Sequence, residues 1–382
     1  MAKSLVVCCD GTWNLADQPS RTNVAKVALS VQPRSAAGTE QRVYYHSGVG
    51  TRRRERVRGG AFGLGLSRNV LDAYRFLVDT YEPGDALYLF GFSRGAFTAR
   101  SLAGLVRNCG ILRREQAYRT DEAWELYRSR ADKPTSTAAT LFRRAYAHET
   151  RIRFVGVWDT VGSLGIPVPP PRLLKPLVDW FNHRWAFHDT TLSKAVDGAF
   201  QALAVDEQRS AFPPTLWQQQ EGAEEQGQEL RQVWFAGVHT SVGGGQENSG
   251  LSDITLLWMV EQATRYGLEF DPRVLSEEGP DRMKPDLSVD FAVQPDPLAP
   301  WKPSRTGFYK VFRVLNRPIG QERDKQGRLV GNEYVADTVL TRREDAHDPD
   351  YHPPGLEAYI RAVGENGTLG KEHIEQISLP AV

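Results

Sequence analysis

The sequence predicts an α/β fold with a mostly parallel central sheet flanked by helices. Short continuous apolar runs, typical of strands buried on both faces, alternate with segments whose apolar residues recur at helical spacing. This alternation predicts strands that run parallel and are joined by right-handed crossovers. The predicted strands are Leu5–Cys9, Val43–Tyr45, Ala86–Phe90, Ile152–Trp158 and Val233–Val238. The predicted helices lie near residues 22–31, 69–81, 95–107, 121–130, 137–148 and 251–266.

The chain has 382 residues, which is long for one compact unit but fits a single α/β domain with additions. We expect a core over residues 1–271. A lid-like insertion is expected around residues 164–230, where prolines and aromatic residues begin a stretch that fits no regular element. Residues 272–382 are expected to form a C-terminal extension packed on the core, although their many prolines and charges leave its elements unassigned.

The charges of the chain balance, with 47 Lys and Arg residues against 47 Asp and Glu residues. No overall field therefore draws it to nucleic acid, and at most peripheral membrane contact is expected. The basic run 51–58 precedes a glycine-rich stretch and is interpreted as a solvated loop, with a phosphate-binding patch as the alternative. The sequence leaves the oligomeric state open.

The three cysteines indicate folding in a reducing compartment. Cys8 and Cys9 are neighbours in a predicted strand, so their side chains should point to opposite faces and not form a disulfide. The N-terminus enters a strand too soon for a signal peptide, and no apolar run has the length that spans a bilayer. We therefore expect a soluble, cytoplasmic protein.

One pentapeptide has the form of a nucleophile elbow. Gly91-Phe92-Ser93-Arg94-Gly95 lies between a predicted strand and a predicted helix. Glycines on both sides of a serine permit the sharp, strained turn that exposes its hydroxyl at the helix N-terminus. This context predicts an α/β-hydrolase-like fold with Ser93 as the nucleophile.

The acid and the base should follow the serine in chain order, each at the carboxyl end of a strand. Asp159 follows the strand 152–158, and His239 follows the strand 233–238. Asp197 and Asp206 are the alternatives for the acid. His46 also ends a strand but precedes the serine, and a structural role for His239 is the alternative to catalysis.

Backbone N–H groups should bind the oxyanion of the reaction. One is expected from Arg94, and the second from Gly11 or Thr12, in the loop after the first strand. Asp10-Gly11-Thr12 also resembles a motif of phosphatases with an aspartate nucleophile, but Cys8 occupies the nucleophile position. Asp10 is then interpreted as a residue that closes the turn.

The segment from Ile166 to His188 is rich in apolar side chains, which suits either a lid over the site or packing on the core. As a lid, it would place Trp180 and Phe181 against the substrate. No cofactor is expected. Asp189, with His183 and His188 nearby, gives the only hint of a metal site, and we expect no metal there.

Six motifs occur in the order that a known family has them. They are Cys9–Asn14, Gly48–Thr51, Leu89–Ala96, Val157–Gly162, Ala202–Glu207, and Gly237–His239 with Gly243–Gly245. Over residues 4 to 270 the chain resembles the α/β-hydrolase family that includes the catalytic domain of type VI secretion phospholipase effectors. The resemblance implies a Ser-Asp-His triad, placed by position on Ser93, Asp159 and His239, and hydrolysis of phospholipid acyl esters. It also leaves export by a signal-peptide-independent secretion system open.

The chain departs from the family's pattern at two places. Ser241 stands where the family commonly has Asp, and Ala336-Asp337-Thr338 stands where relatives often carry His-Pro-Ser. The expected function is hydrolysis of lipid or phospholipid acyl esters through an acyl-enzyme. The alternatives are an esterase or amidase acting on a small soluble substrate, and a non-catalytic α/β-hydrolase scaffold.

Overall fold

The structure is a computed structural model. It describes residues 2–11, 20–48, 62–129, 131–161, 191–276, 291–307, 310, 313–321, 323 and 331–379, with the backbone alone for residues 62–65.

Strands and helices alternate through the first part of the chain, as the apolar pattern predicts. The strands are β1 (Ser4–Cys9), β2 (Gln41–His46), β3 (Ala86–Phe92), β4 (Ile111–Leu112), β5 (Ala147–His148), β6 (Ile152–Trp158), β7 (Thr191–Leu192), β8 (Val196–Ala204), β9 (Gln218–Gln219), β10 (Glu229–Phe235), β11 (Glu333–Ala336) and β12 (Ile374–Glu375). The helices are α1 (Asn23–Ser30), α2 (Phe62–Thr80), α3 (Arg94–Cys109), α4 (Thr120–Arg128), α5 (Thr137–Tyr146), α6 (His239–Gly243), α7 (Gly250–Arg265), α8 (Asp337–Arg343) and α9 (Pro354–Val363).

Eight strands form the central sheet in the order β12-β11-β10-β8-β6-β3-β1-β2, and each neighbouring pair is parallel. The predicted α/β fold class is thus confirmed. Because the strands are parallel, their carboxyl ends meet at one edge of the sheet, where ligands bind in open α/β folds. In register, Phe92 pairs with Trp158, and Trp158 pairs with Ala202.

The sheet is buried on both faces by helices. In β1, Val6 and Cys8 belong to the core that includes side chains of α1 and α7, whereas Val7 and Cys9 belong to the core with α2 and α3. The two neighbouring thiols therefore point into opposite cores, and both are free. In the described ranges, no helix is both long enough and apolar enough to cross a membrane.

The structure differs from the sequence-based elements at several strands. β8 lies in the middle of the sheet, although its residues fall within the stretch 164–230 expected as an insertion. β11 and β12, from the expected C-terminal extension, continue the sheet beyond β10. β10 ends at Phe235 rather than at Val238, because Gly237 has a φ of 98° and turns the chain out of the strand.

Candidate active site

Ser93 sits on a strained turn between β3 and α3. Its φ of 57° and ψ of −118° are unusual for a residue other than glycine, and its N–H donates to the carbonyl of Trp158 at 3.0 Å. The neighbouring glycines allow this turn by their lack of a side chain. A Cβ at Gly91 would lie 2.4 Å from the carbonyl oxygen of Gly95. Such strain at a serine is the geometry of a nucleophile elbow.

We expect Gly95→Ala to lower both stability and activity, because the added Cβ would lie 2.0 Å from the backbone oxygen of Cys9 and 2.5 Å from that of Asp10. Overpacking of this kind costs about 1–3 kcal/mol of unfolding free energy and would displace α3 from the end of β1. Urea unfolding and esterase assays measure both effects. Gly331→Ala is the control, since a Cβ there meets nothing within 4 Å. Equal stability of the two variants would contradict the expectation.

His239 begins α6 and reaches Ser93 across the edge of the sheet. Its Nε2 lies 2.9 Å from the Oγ of Ser93, and its backbone N–H donates to Glu207 at 3.3 Å. The imidazole packs against two phenyl rings, with its centroid 4.7 Å from that of Phe92 and 5.1 Å from that of Phe212. These contacts bury the imidazole and fix its orientation.

Asp159 follows β6 and is fully buried behind the histidine. Its Oδ2 lies 2.5 Å from the Nδ1 of His239, and its Oδ1 accepts the N–H of Ala204 at 3.1 Å. Its own N–H donates to the carbonyl of Ala202 at 2.7 Å, and its φ is 40°. The structure thus brings the three predicted residues into one hydrogen-bonded chain.

A fourth side chain reaches this chain of residues, and sequence reasoning missed it. Arg317 donates to Asp159 Oδ1 at 2.5 Å and to Oδ2 at 3.0 Å, and its side chain has no solvent exposure. Burial on its own would raise the pKa of Asp159. The charge of Arg317, together with hydrogen bonds from Arg317 and His239, instead holds that pKa well below its usual range.

The alternative acids lie elsewhere. Asp197 is paired with Arg151 and Arg153. Asp206 accepts from the N–H of Gly237 at 2.6 Å and from the hydroxyl of Tyr351, and burial raises its pKa to about 6.

The predicted oxyanion-binding groups are placed in part. The N–H of Arg94 lies in the first turn of α3, directly after Ser93. Gly11 donates its N–H to the carboxylate of Asp10 at 2.6 Å, and the other oxygen of that carboxylate accepts the hydroxyls of Thr22 and Tyr45 at 2.6 Å. Asp10 therefore ties the loop after β1 to its surroundings.

Several predicted residues lie outside the described residues. They are Thr12, the basic run 51–58, Trp180, Phe181, His183, His188 and Asp189. Among the residues that the structure does describe, no group of three or more His, Cys, Asp or Glu side chains is arranged to hold a metal ion.

Comparison with known proteins identifies a family and a curated protein that is similar in part. A sequence model described as "T6SS, Phospholipase effector Tle1-like, catalytic domain" matches residues 3–262. The uncharacterized protein YEL023C of Saccharomyces cerevisiae is 35% identical over 190 residues, which cover 43% of this chain and 27% of that protein.

Two solved structures align with part of the chain. An uncharacterized protein from Pseudomonas aeruginosa has a TM-score of 0.41 and 17% identity, and the alignment covers 77% of this chain and 49% of that one. A Tle1 effector, solved bound to the VgrG spike from the type 6 secretion system, has a TM-score of 0.34 and 17% identity, over 64% of this chain and 51% of that one. The chain spans about half the length of each of these two proteins.

The family match alone covers well over half of the chain and includes Ser93, Asp159 and His239. This chain therefore belongs to the family of Tle1-like catalytic domains of type VI secretion phospholipase effectors.

Proposed function

We propose that this protein is a serine hydrolase that cleaves acyl esters of lipids, with Ser93 as the nucleophile, His239 as the base and Asp159 as the orienting acid. The observation that carries the proposal is the pair of hydrogen bonds through the imidazole, 2.9 Å to the serine and 2.5 Å to the aspartate. Both distances are within the reach that nucleophilic catalysis needs. Membership of a phospholipase effector family supports a lipid ester as the substrate.

The proposed reaction has two steps. Ser93 Oγ attacks the ester carbonyl while His239 Nε2 takes the hydroxyl proton, and Asp159 stabilises the imidazolium. The tetrahedral intermediate then collapses, His239 returns the proton to the leaving alcohol, and the acyl group stays on Ser93. Water, deprotonated by His239, attacks the acyl-enzyme, and the fatty acid leaves as His239 passes the proton to Ser93 Oγ, which restores the free serine.

The developing oxyanion needs donors beside Ser93. The N–H of Arg94 is the first proposed donor, since it lies at the positive end of the α3 dipole. For the second donor, we propose a backbone N–H in the loop after β1. Gly11 already donates its N–H to Asp10, so it would bind an oxyanion only by sharing that hydrogen. Thr12 is the other proposed donor, and Trp180 and Phe181 are the proposed contacts for the acyl chain.

A fluorophosphonate probe tests the nucleophile directly, because it phosphonylates only an activated serine. We expect the native protein to be labelled and Ser93→Ala to remain unlabelled, with mass spectrometry placing the adduct on the peptide that contains Ser93. Ser101→Ala is a matched control, since this buried serine lies on α3, away from the hydrogen-bonded chain. A native protein that is folded but not labelled would favour the non-catalytic scaffold.

A substrate panel then separates the enzyme classes. Phospholipid vesicles, short p-nitrophenyl esters and the corresponding amides are compared by kcat/KM, each with Ser93→Ala as the blank. We expect cleavage of the phospholipid acyl ester, with release of fatty acid. Turnover of only the short esters or the amides would instead assign the chain to soluble esterases or amidases.

A further inference from the structure

We propose that Arg317 is a positioning residue for catalysis: its guanidinium fixes the carboxylate of Asp159 in place, and that carboxylate in turn holds His239. This inference rests on the proposed serine hydrolase function. Arg317 lies beyond residues 3–262, which the family model matches, so the C-terminal part of the chain would complete the catalytic site.

The hydrogen bonds of Asp159 support a positioning role for Arg317. An ionised carboxylate offers about four acceptor positions, two on each oxygen. Oδ1 accepts from the N–H of Ala204 at 3.1 Å and from Arg317 Nη1 at 2.5 Å. Oδ2 accepts from Arg317 Nη2 at 3.0 Å and faces His239 Nδ1 at 2.5 Å. Arg317 thus supplies two of the four bonds and joins both oxygens, which fixes the plane of the carboxylate.

Arg317 is itself held at both ends of its fork. Nη1 also donates to the carbonyl of Ala204, and Nη2 to the carbonyl of Phe212, each at 2.9 Å. The ring of Phe212 packs against His239, so the guanidinium also holds a residue that contacts the imidazole. With four bonds made by its two terminal nitrogens, the guanidinium has one orientation available.

The backbone around Arg317 contacts two other parts of the fold, the loop after β8 and the helix α9. Leu315 donates its N–H to the carbonyl of Gln208 at 2.9 Å, which joins this segment to the loop that follows β8. A Cβ at Gly355, in α9, would lie 2.1 Å from the carbonyl oxygen of Arg317, so the helix packs directly on this backbone. The residue that carries the guanidinium is therefore packed between these two elements.

A fixed positive charge beside the acid also keeps that acid ionised. Burial on its own would raise the pKa of Asp159, and the guanidinium of Arg317 lowers it, so the carboxylate stays charged and can hold the imidazole as the pH falls. The pair Asp159 and His239 also faces charged residues of the loop after β8, which are Asp206, Glu207 and Arg209. Of these, Glu207 accepts the backbone N–H of His239. These charges remain when Arg317 is replaced, so the change in pH dependence reports Arg317 itself.

The experiment measures the rate of fluorophosphonate labelling of the whole 382-residue chain between pH 5 and 9. For Arg317→Met, we expect labelling at neutral pH to be at least about tenfold slower and the acid limb of the profile to move to higher pH, because Asp159 loses the charge that keeps it ionised. Arg317→Lys keeps the charge without the fork, so its acid limb should stay near that of the native protein while its rate falls. Arg317→Gln serves as a second neutral variant if Arg317→Met does not fold.

Two controls separate positioning from structural support. Arg342, also buried in the C-terminal part, donates to the carbonyls of Pro297 and Ala299 and not to Asp159, so Arg342→Met should lower the melting temperature without moving the pH profile. In an Asp159→Asn background, Arg317→Met should slow labelling little further, because it acts through the same carboxylate. Native rates and an unmoved acid limb in folded Arg317 variants would overturn the inference. Equal labelling of the native protein and of Ser93→Ala would overturn the proposed function instead.

Discussion

Replacing Ser93 by alanine should lower kcat for ester hydrolysis by about 10⁶-fold, and replacing His239 by alanine should have a similar effect. In the proposed mechanism the two side chains share one proton-transfer step, and Oγ and Nε2 are 2.9 Å apart in a buried site. Without the base, the hydroxyl keeps its proton and attacks poorly. Without the hydroxyl, the base has only water to activate.

The double variant tests whether the two residues act as a unit. Ser93→Ala/His239→Ala should be little slower than either single variant, because each substitution already removes the whole nucleophilic route. The measurement is steady-state kinetics on the ester with the highest rate. If the two losses multiplied instead, His239 would serve a role independent of Ser93. Chemical unfolding of all three variants shows whether any loss of rate comes from a loss of fold.

The residues of the proposed triad could be predicted because each follows a readable strand. Short runs of apolar residues and glycine, Ala86–Phe92, Phe154–Trp158 and Val233–Val238, end directly before Ser93, Asp159 and His239, and parallel strands bring their carboxyl ends to one edge. The glycines around Ser93 gave a further local signal for the elbow. Position along the chain and the period of apolar residues therefore sufficed to bring these three residues together.

The strand β8 could not be predicted from the apolar pattern. Its sequence Val196–Ala204 contains Asp, Gly and Gln, so it lacks the uninterrupted apolar run of a central strand. Gln201 is nevertheless fully buried, because its amide accepts the hydroxyl of Thr160 at 2.6 Å and donates to the carbonyl of Thr215. A buried polar side chain whose hydrogen-bond partners lie far along the chain cannot be recognised from the hydropathy pattern.

At the candidate site, Arg317 is the residue that could not be predicted from the sequence. It lies between Asn316 and Pro318, in a stretch without apolar period, and it contacts Asp159 across 158 positions of sequence. An arginine is usually exposed, so sequence alone favours a surface role. Only its burial and its two bonds to the carboxylate single it out.

Asp159→Asn is expected to lower kcat by about 10⁴-fold, because an amide facing Nδ1 favours the wrong tautomer of His239 and does not stabilise the imidazolium. Asp206→Asn is the control. Asp206 is one of the two alternative acids, with Asp197, but its carboxylate contacts Gly237 and Tyr351, so its replacement should leave kcat much nearer the native value. A larger loss from Asp206→Asn than from Asp159→Asn would reverse the assignment.

The aspartate should also make stability depend on pH. Since its pKa is lowered in the folded state, Asp159 contributes stability above the pKa of an unfolded aspartate, about 3.9, and this contribution is lost as the pH falls towards the folded value. Asp159→Asn removes a titrating group and should therefore flatten this part of the acid unfolding curve. Urea unfolding between pH 2.5 and 7 measures the difference.

Stability and activity should then separate in a double variant. Asp159→Asn leaves the guanidinium of Arg317 buried without its counter-charge, which costs about 3–5 kcal/mol of unfolding free energy. Adding Arg317→Met removes that unpaired charge, so Asp159→Asn/Arg317→Met should unfold at higher urea than Asp159→Asn alone. Its kcat should stay low, because His239 still lacks a carboxylate. A double variant less stable than either single variant would show that the two side chains do not act as an ion pair.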